Sequence, residues 1–383
     1  MTSTHVSTVE LPELALWDRM RQNRAVFSFD LELTARCNND CRHCYINLPA
    51  GDHAAAAQEL SLAEVSALAD DALKLGALWC LITGGEPLLR RDFSDVYLLL
   101  KRKGLLVSVF TNAALVTPEH VKLFKTYPPR DLEVTVYGIT EETYERVTRR
   151  PGTFPAFVRG LNLLLDSGVR VRLKAMAMRS NVHELQEIAE FCRAHTKDYF
   201  RFDPLLHLRF DHNPQRNEEI KAERLTPQEI VELETNDPQR FQAMQDGCDK
   251  FIFPPAPDHV CNHLFHCGVG KGNFTIGYDG QFRLCSSLWA PETVYDLRHG
   301  SLAEAWSKHV PSVLDLGSDD PEFLSTCRRC GMINLCLWCP AHAYLETGRM
   351  DKRVDTFCDI AHARAATLQA AVQARDAAPG ASG

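Results

Sequence analysis

No run in the sequence approaches the ~20 consecutive apolar residues that a membrane-spanning helix needs. Basic charge is also scarce: across 383 residues, 42 Lys and Arg face 50 Asp and Glu, a net charge of -8. That leaves no broad cationic face for duplex DNA or an anionic bilayer, so neither nucleic acid nor a membrane is expected as a partner. The opening residues, 1–14, lack the basic start and apolar stretch of a secretion signal, which makes the cytoplasm the expected compartment. Apolar residues at 45% and charged residues at 24% are ordinary globular values, and the length suits two or three domains.

Cysteine, by contrast, is abundant, with 14 in the chain. A reducing compartment does not favour disulfides, and thiols kept there in clusters bind metal or carry redox chemistry. Three lie early (Cys37, Cys41, Cys44) and eight late (Cys261, Cys267, Cys285, Cys327, Cys330, Cys336, Cys339, Cys358). The isolated Cys80, Cys192 and Cys248 read as small buried residues.

Residues 1–26 read as an N-terminal extension. From 27 to 206, β-branched or aromatic runs alternate with amphipathic stretches, the pattern of βα units around a parallel sheet. Strands are expected at 27–34, 79–83, 105–111, 131–137, 170–178 and 199–206, and helices at 62–75, 93–103, 118–125, 154–166 and 182–195. The expected fold is α/β, a partial (β/α)6 TIM-type barrel whose reactive face is built from the loops after the strands. Residues 207–258, rich in proline and charge, read as a connector with one helix near Pro227 to Leu233. A cysteine-rich domain is expected at 259–365 and a disordered tail at 366–383.

Cys37-x3-Cys41-x2-Cys44 directly follows the first strand, so one compact loop can turn three thiolates toward a point. Three thiolates suit a four-iron cluster with one iron left open; a zinc ion completed by His43 or His53 is the alternative. Gly84-Gly85-Glu86-Pro87 follows the second strand. Together the two motifs resemble the signature of the radical S-adenosylmethionine (SAM) superfamily. The resemblance implies that an open iron chelates SAM and that an electron from the cluster cleaves it to a 5'-deoxyadenosyl radical, which abstracts hydrogen from substrate. It also implies that Gly84, Gly85, Glu86 and Pro87 meet the methionyl end, with the Glu86 carboxylate pairing with its ammonium. His43 would touch adenine and Thr135 would lie near the ribose, with Thr111 and Asn112 lining the pocket. Arg146, Arg149 and Arg150 are candidates for the SAM carboxylate, or form a solvated face.

In the last third, Cys327-x2-Cys330-x5-Cys336-x2-Cys339 by itself also reads as a zinc ribbon. With Cys267-x12-Gly280-x4-Cys285 before it and Cys358 after it, the pattern is similar to the SPASM extension of radical SAM enzymes. Residues 273–285 read as a β-hairpin turning at Asp279-Gly280. The resemblance implies two auxiliary 4Fe-4S clusters, one on Cys261, Cys267, Cys285 and Cys339, the other on Cys327, Cys330, Cys336 and Cys358, three clusters in all. Two residues separate Cys336 from Cys339 where the family usually has three, which leaves the owner of Cys339 open.

Fully ligated auxiliary clusters suit electron acceptance, so the expected reaction is a crosslink or an oxidation, with a ribosomally made peptide as the leading substrate. Oxidation or rearrangement of a small molecule such as a sugar or cofactor precursor is the alternative. Formylglycine maturation of sulfatases is weakened because Ser286 stands where that group carries an acid. A non-catalytic iron-sulfur or zinc scaffold is the reading from a different class. Asp203, His207, Arg209 and Ser286 are the candidates for proton transfer or substrate positioning. Trp289 and Trp338 read as packing residues. The short N-terminal extension implies that any leader peptide is bound by a separate protein or by a different surface, and the chemistry implies an electron donor such as flavodoxin or ferredoxin.

Overall fold

The computed structural model describes residues 24–196, 200–254 and 261–377. Residues 1–23, Tyr199, Pro255, Pro257 and 378–383, on which parts of the expected extension, sixth strand, connector and tail fall, lie outside them.

Six strands, β1 (Ser28–Thr34), β2 (Trp79–Gly84), β3 (Leu106–Thr111), β4 (Leu132–Thr135), β5 (Val171–Met176) and β6 (Arg201–Asp203), run parallel in sequence order. In β1, Phe29, Leu31 and Leu33 join the core, while Asp30 and Glu32 alternate onto the other face. The helices between strands are α1 (Leu62–Lys74), α2 (Phe93–Arg102), α3 (Pro118–Thr126), α4 (Glu141–Thr148), α5 (Thr153–Asp166) and α6 (Leu185–His195). Ser61 and Glu64 form a capping box that starts α1. Helix α4 was not anticipated: eight residues with mostly polar exposed positions carry little periodic signal.

Beyond the barrel, β7 (Asn273–Ile276), β8 (Gln281–Arg283) and β9 (Tyr295–Asp296) complete one sheet in the order β9-β8-β7-β1-β2-β3-β4-β5-β6. The hairpin turns at Asp279-Gly280 as expected, with Gly280 at φ +83°. Because β7 pairs parallel with β1, from Ser28 opposite Asn273 to Leu31 opposite Ile276, the cysteine-rich region is continuous with the barrel sheet. The sheet ends at β6 and β9 without closing, which makes the barrel partial.

Two expectations need correction. The connector is mainly helical: α7 (Pro214–Glu223), α8 (Pro227–Thr235) and α9 (Pro238–Asp246) each place proline in the first turn behind a capping Asn213, Thr226 or Asp237. Those prolines start helices, where the missing N–H is no loss, and do not mark loops. The tail is not disordered from 366: after α10 (Pro340–Thr347), α11 (Asp355–Ala377) continues the chain, with Leu368 1% exposed beside Leu335, Ala361 and Ala365. Arg364 on α11 reaches Glu234 on α8, which also holds Arg240. No described helix is long and apolar enough to cross a membrane.

Candidate active site

The loops after the barrel strands surround a cavity of about 420 Å³. Cys37, Cys41, His43 and Cys44 line one side, Gly84, Gly85, Thr111, Asn112 and Thr135 the next, and Asp203, His207 and Ser286 the far side. The structure thus brings together most of the residues singled out from the sequence.

The cysteine loop has few apolar side chains of its own and is held by its backbone. Asp40 N–H donates to Thr148 O (2.9 Å) and Arg42 N–H to Val147 O (3.1 Å), so the unanticipated α4 is its abutment. Three arginines clamp its carbonyls. Arg149, in a left-handed conformation, donates to Asp40 O (2.8 Å) and pairs with Glu219; Arg216 donates to Cys41 O (3.0 Å); Arg209 donates to Asn47 O (3.2 Å), Asn47 Oδ1 (3.0 Å) and Cys44 O (3.4 Å). Arg209 is buried, pairs with Asp211 and does not line the cavity, so it positions the loop and is not a group facing substrate. Arg146 pairs with Glu142, and neither Arg146, Arg149 nor Arg150 lines the cavity.

Gly84 and Gly85 press the exit of β2 against this loop. Gly84 has φ +120°, and a Cβ on Gly85 would lie 2.3 Å from Arg36 O and 2.6 Å from Ala35 O. Only glycine permits that approach. Gly85 N–H donates to Thr34 O (2.6 Å) and Glu86 N–H to Arg36 O (2.9 Å). Glu86 and Pro87 are buried and do not line the cavity. The Glu86 carboxylate accepts from Leu88 N–H (3.1 Å), Thr111 Oγ1 (2.8 Å) and Asn112 N–H (2.7 Å), tying the loops after β2 and β3 together where the sequence reading has it pair with an ammonium. Burial pushes its pKa up to about 7.

None of the three cysteines is in a disulfide; Cys37 and Cys41 are buried and Cys44 is half-buried. Asn39 N–H points at Cys37 Sγ (3.4 Å) and Asn112 Nδ2 lies 3.8 Å from it, donors suited to a thiolate or a cluster sulfur. Buried His43 Nδ1 has no hydrogen-bond partner among the described residues, an orphan that a ligand in the cavity can satisfy. Among the described residues, no three His, Cys, Asp or Glu side chains gather tightly enough for a single metal ion, and His53 lines a separate cavity with Arg36 and Arg90. Three thiols on one cavity, with N–H donors at Cys37 Sγ, suit an iron-sulfur cluster.

On the far side, His207 Nδ1 lies 3.4 Å from Ser287 Oγ, and its ring meets His342 edge-on at 4.2 Å. Burial, then the neighbouring His342, lower its pKa to about 3, so His207 is neutral there. Among the late cysteines, Cys267, Cys285 and Cys339 are near enough to act on one another electrostatically, as are Cys327, Cys330, Cys336 and Cys358. Cys261 is exposed, with Sγ 3.5 Å from His266 Nε2. Cys80 and Cys192 are buried as expected, while Cys248 is half-buried. Trp338 packs on Phe323 and donates to Lys352 O (2.6 Å); Trp289 packs on Phe210.

The cavity floor was missed. Asp30, Lys174 and Met176 line it beside Leu81 and Phe110. The available signal was Asp30 and Glu32 alternating with apolar residues in β1, charge on the face that a small barrel normally fills with hydrocarbon.

Residues 31–192 match the Radical SAM superfamily. The chain is 27% identical to an AdoMet-dependent heme synthase of Nitratidesulfovibrio vulgaris, over 42% of this chain and 43% of that protein. It is 24% identical to an AdoMet-dependent heme synthase of Methanosarcina barkeri, over 83% of this chain and 92% of that one. It is 29% identical to the antilisterial bacteriocin subtilosin biosynthesis protein AlbA of Bacillus subtilis, over 42% of this chain and 36% of AlbA. The match to the first of these and to AlbA thus spans less than half of each relative. Among solved structures, Streptococcus suis SuiB bound to precursor peptide SuiA superposes with TM-score 0.65 at 12% identity, covering 94% of this chain and 84% of SuiB. The anSMEcpe structure with bound AdoMet and Cp18Cys peptide superposes with TM-score 0.60 at 13% identity, covering 91% and 99%. At these identities the superpositions establish the fold. Residues 31–192 match a radical SAM domain, and a cysteine-rich region follows that domain in this chain.

Proposed function

We propose that this chain is a radical SAM enzyme that crosslinks or oxidises a ribosomally synthesised peptide, using SAM and three 4Fe-4S clusters. When bound, SAM and the cluster on Cys37, Cys41 and Cys44 supply a 5'-deoxyadenosyl radical that abstracts hydrogen, and the auxiliary clusters supply an electron acceptor. The observation that carries the reading is that one cavity has the three-cysteine loop as one wall and Ser286, next to Cys285 of the late cysteines, as another. A substrate held there lies between the two cysteine regions. Gly84, Gly85, Thr111, Asn112 and Thr135 line the part of the cavity nearest the early cysteines, where SAM would be held. Neutral His207 offers a hydrogen-bond partner, and Asp203 and Ser286 offer acceptors for a substrate proton.

The peptide substrate is supported by the precursor peptide bound to SuiB and by AlbA's part in bacteriocin biosynthesis. A separate leader-binding protein and a flavodoxin or ferredoxin donor belong to the same proposal. The near full-length match to the Methanosarcina barkeri heme synthase favours a second reading, modification of a small molecule.

The test is iron, sulfide and zinc content of anaerobically reconstituted protein, with 5'-deoxyadenosine followed under a strong reductant. About twelve irons per chain, falling by about four in the Cys37, Cys41 and Cys44 triple alanine variant with deoxyadenosine abolished, is the expected result. Zinc in place of iron, or unchanged iron in the variant, overturns the reading.

A further inference from the structure

The barrel interior is unusually charged, and its charges are almost all matched. Glu32 pairs with Arg283, Glu133 with Lys174 and Arg201, and Asp131 lies within ion-pair distance of Arg130, Arg170 and Arg172. Lys174 Nζ also lies over the Phe110 ring, 4.2 Å from its centroid. Asp203, at the exposed end of β6, accepts from Leu205 N–H (2.9 Å). Asp30 is the exception. It lines the floor of the SAM-side cavity and the roof of a second cavity of about 310 Å³ at the opposite end of the barrel, and its carboxylate makes no hydrogen bond or ion pair among the described residues. Arg283, the cation whose charge acts on it, is committed to Glu32, and Arg130, Arg172 and Arg201 on the second cavity are paired with Asp131 or Glu133.

A largely buried carboxylate without a partner is unfavourable, and a complementary charge arriving in the cavity removes that penalty. Leu81, Phe110 and Met176 flank Asp30, an apolar sleeve ending in an anion. Among the described lining residues, the other acid, Asp203, adds negative charge, while the ammonium, Lys174, is already neutralised by Glu133. A carboxylate-bearing group entering here would meet two acids and no available cation.

We propose that Asp30 receives a protonated nitrogen, an ammonium or guanidinium on an aliphatic stem, as the part of the substrate that enters the barrel. This rests on the reading of the cavity as a SAM and substrate site, and it sharpens that reading: a lysine-like or arginine-like side chain of a peptide fits, and a propionate-bearing small molecule does not. The burial that raises the Asp30 pKa to about 6 leaves it ionised at neutral pH and poorly solvated, the state that gains most from a cation.

The test uses reconstituted holoenzyme with SAM and equilibrium dialysis of three radiolabelled probes: the N-acetyl N-methylamides of lysine, norleucine and glutamate. The wild type should retain the lysine probe at least about tenfold more tightly than the norleucine probe and exclude the glutamate probe. Asp30→Asn should abolish that preference, and Asp30→Glu should keep it. A preference unchanged in Asp30→Asn, or no preference in the wild type, overturns the proposal. SAM retention by the same samples separates the two levels of failure: wild-type protein that binds no SAM refutes the reading of the cavity, whereas SAM bound without lysine preference refutes only the role of Asp30.

Discussion

Replacing Gly85 by alanine tests the close approach on which the site is built. The added Cβ would lie 2.3 Å from Arg36 O and 2.6 Å from Ala35 O, both backbone atoms, so no side chain can rotate aside. Reaching ordinary contact near 3.4 Å requires the two chains to part by about 1 Å. That movement stretches the bonds from Gly85 N–H to Thr34 O (2.6 Å) and from Glu86 N–H to Arg36 O (2.9 Å) beyond useful length. Two lost hydrogen bonds at about 1 kcal/mol each, with an overpacking cost of about 1–3 kcal/mol, give a loss of about 3–5 kcal/mol. Because Arg36 immediately precedes Cys37, the displaced segment carries the first thiol with it. The assay is urea denaturation of anaerobically prepared protein, with iron and 5'-deoxyadenosine measured on the same samples. Gly85→Ala should lower stability by that amount, lose about four irons per chain and form no deoxyadenosine. Gly51→Ala, with nothing within 4 Å of its Cβ, is the control and should match the wild type. A Gly85→Ala protein with wild-type stability and iron would refute the argument that this approach holds the cysteine loop.

Arg209→Ala should strip iron from the first cluster, because Asn47 O and Cys44 O lose their donor; Arg209→Lys should not restore it, since one ammonium cannot replace the fork that also holds Asp211. Iron analysis checks both, and full iron in the lysine variant would argue against the clamp. Glu32 and Arg283 are 1% and 0% exposed, and the guanidinium stacks 3.4 Å over Trp289, so Glu32→Ala alone should cost about 3–5 kcal/mol in denaturation while the Glu32→Leu, Arg283→Met pair costs far less. Leu368→Ala should cost about 2–5 kcal/mol by the same measurement, where an unpacked tail would show almost nothing. Asp30 has a pKa raised from 3.8 to about 6, so the folded state holds its proton longer than the unfolded state. Its contribution to stability is therefore greatest below pH 4 and declines as pH rises to about 6, by about 3 kcal/mol at most. Denaturation curves between pH 4 and 7 should show that decline in the wild type relative to Asp30→Asn, and parallel curves would contradict it.

The local chemistry of this protein is legible in its sequence. Cys37-x3-Cys41-x2-Cys44 after one strand and Gly84-Gly85 after the next need no distant contacts to be recognised, because a short loop and a tight backbone approach are set by neighbouring residues. The same holds for the five anticipated helices, whose apolar positions recur at three- and four-residue steps, and for the hairpin at Asp279-Gly280. Long-range partners are a different matter. Proline behind Asn213, Thr226 and Asp237 has the same composition in a loop as in a helix start, and the folded chain shows each of the three side chains capping a helix. Nothing local tells that Glu86 faces three protein donors, that Arg209 and Arg149 clamp the cysteine loop from 165 and 109 residues away, or that β7 joins β1. Asp30 shows the division most plainly. Its place on the inner face of β1 follows from alternation, but its lack of a partner emerges only after the folded barrel has matched nearly every other charge inside it, since pairing depends on which strands become neighbours.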